Sequence, residues 1–251
     1  MANWSNPNTG LTGQPRGAAD TGARDVAFDA GLRSYMLKVY NYMASGVLLT
    51  GIVAMLFARG GAESPAAQLF VGGGLLAWVV MLAPLAFVLV MSFGMNRLSA
   101  AALQGLFWAF AVAMGLSLST VFLVYTGTSI AQTFFATAAA FASLSLWGYT
   151  TKKDLSGWGT FLFMGLIGLI VAMVVNIFLQ SSMMNLVISA IGVLIFAGLT
   201  AYDTQRIKSV YFQVAGHAEM IGKAAIMGAL NLYLDFINMF LFLLQFMGNR
   251  N

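Results

Sequence analysis

Residues 224–247 read AAIMGALNLYLDFINMFLFLLQFM, and the one charged side chain in the stretch is Asp235. A helix rises about 1.5 Å per residue, so this stretch can cross a hydrocarbon core of about 30 Å. Asn231, Asp235 and Asn238 fall at i, i+4 and i+7, and Gln245 continues the line. On a helix that is one polar stripe. Polar side chains turned to lipid would have no partners, so the stripe predicts a helix facing inward. The expected architecture is therefore a bundle with this helix at its centre and Asp235 buried.

Six further apolar runs precede it, at 39–58, 70–93, 100–124, 130–149, 157–179 and 186–203. The chain is 60% hydrophobic and 8% charged. A soluble domain carries about 25% charged residues, so a water-facing surface is excluded. None of the runs alternates with period two, which excludes an outer-membrane barrel. The reading is an all-α polytopic membrane protein with seven transmembrane helices. Residues 1–35 are polar and rich in Gly, Asn and Thr, which predicts a disordered tail, with 26–38 as a possible juxtamembrane helix. Residues 36–251 then form the membrane domain. The chain has no cysteine, so disulfides, thiolate metal sites and cysteine nucleophiles are excluded.

Charge sets the expected orientation. The tail and the loops after the second, fourth and sixth runs hold ten of the twelve lysines and arginines. Arg59 and Arg250 fall on the other side. The positive-inside rule puts the N-terminus in the cytoplasm and the C-terminus outside. The net charge of +4 reports this topology, and no basic run suggests a nucleic-acid partner.

Six of the eight acidic residues lie in the tail or between runs, leaving Asp203, which closes the sixth run, and Asp235. An ionisable group inside the membrane is costly and marks a functional site by default. Two carboxyls within hydrogen-bond reach cannot easily both ionise in a low dielectric and should share a proton. Counting places the two at depths that differ by about 5–10 Å, which helix tilt or a later start of the seventh helix would close. Thr200, Tyr202, Asn231 and Asn238 are the polar groups expected to support the pair. A structural reading also stands, in which each carboxyl simply bonds such neighbours. Arg97, at the end of the second run, is a candidate counter-ion or a snorkelling arginine. Lys152 and Lys153 mark topology, and His217 lies alone in a polar loop.

No GxSxG, HExxH, GxGxxG or Walker loop occurs, so an enzyme is not expected and no cofactor is implied. Tyr202-Asp203 resembles half of the presenilin-type aspartyl protease motif. Leu232-Tyr233-Leu234-Asp235 lacks the glycines of the other half. A stronger resemblance is to the Bax inhibitor (transmembrane Bax inhibitor motif) family. It is carried by 152–156 (KKDLS), 201–205 (AYDTQ) and 232–238 (LYLDFIN), on seven spans from about Leu32 onward. The short C-terminus resembles bacterial members, which implies the inner membrane.

The resemblance implies six helices around the seventh. It implies a pH-sensitive calcium leak gated by an aspartate dyad, here Asp203 and Asp235, with Arg97 as a possible latch. Calcium would be the transported ion, met by those carboxylates. The family also includes regulators of membrane proteases or of cell death. Three functions are thus expected in order: a cation leak channel, a non-conducting regulator with a membrane-protein partner, and an intramembrane aspartyl protease.

Overall fold

The computed structural model describes residues 16–250, with side chains from residue 29 onward. The helices are α1 (Arg16–Phe57), α2 (Pro65–Val71), α3 (Leu75–Gly94), α4 (Ala100–Val124), α5 (Gly127–Thr150), α6 (Ser156–Leu179), α7 (Ser182–Val214) and α8 (Ala218–Met247). Among the described residues, seven helices are long and apolar enough to cross a membrane: α1 over Asp29–Phe57, and α3 to α8. The fold is an all-α polytopic membrane bundle, as the sequence predicts.

Three boundaries differ from the sequence reading. First, α1 is continuous from Arg16, and Leu32, Tyr35 and Met36 are buried, so a domain boundary at residue 36 falls inside a packed helix. Leu32, Tyr35, Met36, Val39 and Met43 form an i, i+3, i+4, i+7 stripe whose intervening polar residues lower the mean hydropathy. Residues 1–15 of the expected tail lie outside the described residues. Second, Gly72-Gly73-Gly74 does not open the second span continuously. Gly73 and Gly74 have φ of 65° and 102°, a region that favours glycine, and they break the chain between α2 and α3. Ser64 starts α2 by accepting from the Ala67 N–H at 3.1 Å, with Pro65 in the first turn.

Third, the sixth span does not end at Asp203. It runs about three turns further, because Thr200, Thr204, Ile207 and Tyr211 keep a buried i, i+4, i+7, i+11 face. The chain reverses through Ala215–His217, with Gly216 at φ 97°, and α8 begins at Ala218. Lys223 therefore lies inside α8, buried, and pairs with Glu219 at 3.1 Å.

α8 is the central helix. Of its most apolar window 67% is buried, against 11% to 33% for the other six spans. It packs on α7, α1, α5 and α4, whereas α3 packs chiefly on α4 and α6 chiefly on α7. Lipid tails are as apolar as leucine, so close approach and hydrogen bonding hold such a bundle together. Gly148 of α5 lies against the Ala201 backbone of α7, with no room for a Cβ. Thr50 Oγ1 donates to Ala111 O at 2.8 Å, so the Tyr233 hydroxyl, 2.7 Å away, is the donor to Thr50. By the same count Tyr40 donates to Ser145 (2.7 Å), Ser145 to Thr204 (2.9 Å) and Thr204 to Thr200 O (2.7 Å). That chain joins α1, α5 and α7.

Candidate functional site: an aspartate pair facing a cavity

α7 and α8 form an antiparallel hairpin. Ile207 packs at Gly228, and Phe242 at Gly192. This register sets Asp203 level with Asn231 or Leu232, about one helical turn from Asp235. Each Cα–Cβ bond tilts toward its own helix N-terminus. In an antiparallel pair with this offset, the two side chains lean toward each other. This register narrows the expected depth mismatch to about one turn, with Asp203 and Asp235 on the wall of the same cavity. Asp235 is 4% exposed, and no N–H or O–H of the described residues reaches its Oδ2. The acidic group of α7 that shares its cavity is Asp203.

Both face a cavity of about 740 Å³ between α6, α7 and α8. The α8 wall is Asn231, Leu234, Asp235, Asn238 and Phe242, so the polar stripe lines the cavity up to Asn238. Gln245, further along, instead accepts from Ser189 Oγ at 3.4 Å. Asn238 Nδ2 donates to Leu234 O at 2.8 Å, which leaves its amide oxygen as an acceptor. The α7 wall is Phe196, Leu199, Tyr202, Asp203 and Arg206, and α6 closes the third side with Gly159, Thr160 and apolar side chains.

Two expected residues are placed elsewhere. Thr200 is fully buried on the other side of α7, and its hydroxyl donates to Phe196 O at 2.8 Å. Arg97 is exposed in the turn between α3 and α4 and does not line the cavity. The cation beside the pair is Arg206, which acts electrostatically on Asp203. The apolar run ends at Asp203, so hydropathy alone does not show that the helix carries on to Arg206. Once the helix continues, i+3 puts Arg206 on the same face. His217 is exposed beside the turn that precedes α8, as expected.

Residues 32–251 match the family described as inhibitor of apoptosis-promoting Bax1. The chain belongs to this Bax inhibitor family. An uncharacterized protein of Rickettsia prowazekii is 48% identical over 230 residues, covering 92% of this chain and 95% of that protein. One from Caulobacter vibrioides is 48% identical over 233 residues, covering 90% and 92%. The Escherichia coli inner membrane protein YbhL is 45% identical over 222 residues, covering 88% and 94%.

In this Bax inhibitor family member, consecutive residues of the 201–205 motif reach different helices. Tyr202 covers Gly159 of α6, where a Cβ would meet its ring. Asp203 faces the cavity that Asp235 of α8 also lines. Thr204 accepts from Ser145 of α5. Gln205 holds the α5–α6 loop, accepting from Leu155 N–H and donating to Lys153 O, both at 2.8 Å. α7 is thus the strut against which the site is assembled. Within that loop, Asp154 Oδ1 accepts from the Ser156 hydroxyl (2.6 Å) and N–H (2.9 Å), and these bonds hold its carboxyl below the usual range.

Proposed function

We propose that this protein is a pH-sensitive cation leak of the bacterial inner membrane, with calcium as its cargo and the Asp203–Asp235 pair as its gate. The observation that carries this reading is the presence of two carboxyls from adjacent helices at the wall of one cavity. Charge counting gives the switch. With one proton between them the pair carries one negative charge, which Arg206 offsets. When the proton leaves, the pair carries two, like charges repel, and the cavity becomes net negative toward cations. Calcium prefers oxygen ligands, and the carboxylates with the Asn231 and Asn238 amides supply that chemistry. Its usual shell is six to eight oxygens, so water would complete it here, which suits transit. The positive-inside count places the α7–α8 turn, and with it the Arg206 end of the cavity, toward the cytoplasm.

The test is calcium flux into liposomes holding the purified full chain, followed across pH. Flux should rise with pH in the wild type, and Asp203→Asn and Asp235→Asn should each flatten the profile. An unchanged profile in both variants contradicts the proposal. No flux at any pH, together with a co-purifying membrane protease, would instead favour the non-conducting regulator.

A further inference from the structure

We propose that Gln205 is a positioning residue that latches α6 over the aspartate pair, and that α6 is the movable wall of the cavity. Leu155 immediately precedes α6 and has no side-chain cap of its own to offer. The first N–H groups of a helix need outside acceptors. Gln205 of α7 provides one, accepting from Leu155 N–H at 2.8 Å while donating to Lys153 O at 2.8 Å. One planar amide thus clamps both ends of a three-residue segment, two positions along the chain from Asp203.

The rest of α6 is held lightly. Only 11% of its most apolar window is buried, and it packs chiefly on α7. Tyr202 on Gly159 and Leu162 on Gly198 are the close contacts of that seam. Across from α8 stands the cavity, so α6 can turn about α7 without tearing the core. The α5 end of the same loop is fixed differently. Lys208 Nζ donates to Tyr149 O at 3.0 Å and lies 4.9 Å over its ring. The loop therefore has a firm anchor at α5 and a releasable one at α6. The Gln205–Lys153 bond is exposed, where water competes for both partners. Release would swing α6 away from α7 and widen access to Asp203. Only the effect on flux rests on the leak reading; the movement itself does not.

The chain lacks cysteine, so spin labels can be set at Leu37→Cys on α1 and Phe161→Cys on α6, both exposed positions, in the full chain in liposomes. Gln205→Ala should lengthen the interlabel distance by several ångströms and broaden its distribution. Gln205→Glu keeps the acceptor for Leu155 N–H and should restore most of the wild-type distribution. Calcium flux at fixed pH should rise about two- to tenfold in Gln205→Ala, the size of one net hydrogen bond. A wild-type distribution in Gln205→Ala overturns the latch, as does a Gln205→Glu variant no better than alanine. A widened distribution with unchanged flux upholds the latch and overturns its control of the leak.

Discussion

α5 and α6 both lean on α7, but in different ways. α5 presents buried hydroxyls, Thr133, Thr137 and Ser145, and packs on both α7 and α8. Its Gly148 brings backbone against backbone at Ala201. α6 is the more apolar helix, with a mean hydropathy of 2.7 against 1.3, yet it is the less buried, 11% against 33%. In water that ranking would be perverse. In lipid it is the expected one, since apolar side chains gain nothing by leaving lipid for protein, while polar ones must find partners. The lesson is that hydropathy reports which helix faces lipid, and buried polarity reports which helix is structural. The cavity with the aspartates opens beside the lipid-facing helix.

The contrast can be broken most sharply by filling space. Gly148→Leu should drive a side chain into the Ala201 backbone and cost about 3 kcal/mol or prevent folding, whereas Gly168→Leu on α6, which has nothing within 4 Å, should fall within about 0.5 kcal/mol of wild type. Thermal unfolding of the purified protein measures both, and equal costs would mean that α6 is packed as firmly as α5. A smaller effect is expected from hydrogen bonds. Ser145→Ala removes a member of the Tyr40–Ser145–Thr204 chain and should cost about 1 kcal/mol, while Thr160→Val at the α6 cavity wall should leave the unfolding temperature unchanged. The smallest effect belongs to Asp154. Its carboxyl is held below the usual range by Ser156, so its support of the α6 start is present above about pH 4 and fades as pH falls through the folded value. The protection factor of Ser156 N–H, its exchange rate taken against that of an unprotected amide at the same pH, should then fall with acid, and a pH-independent protection factor would sever that link.

Much of this was legible in the sequence. Seven spans follow from runs of apolar residues, and the inward turn of α8 follows from the spacing of Asn231, Asp235 and Asn238. The relative depth of Asp203 and Asp235 was left open by counting, because the count took Asp203 as a helix end; the register of α7 on α8 sets them about one turn apart on one cavity wall. What was missed was amphipathic. The α7 extension carries Arg206, Lys208 and Ser209 beside buried Ile207 and Tyr211, so a hydropathy reading stops there although the helical period continues. The same extension explains why Arg206, not Arg97, stands beside the pair, and why Gln205 reaches the α5–α6 loop. Thr200 was grouped with the site by proximity in sequence, yet one residue of helical rotation from Leu199 turns it toward the packed side of α7.

The central claim is one proton shared between Asp203 and Asp235 that governs the leak. Infrared difference spectroscopy of the full chain in liposomes, recorded across pH, tests it most directly. The account predicts a protonated-carboxyl band that disappears over the same pH interval in which calcium flux rises, and that is altered by either Asp203→Asn or Asp235→Asn. A band insensitive to both substitutions, or one that titrates in an interval where flux is constant, would contradict it.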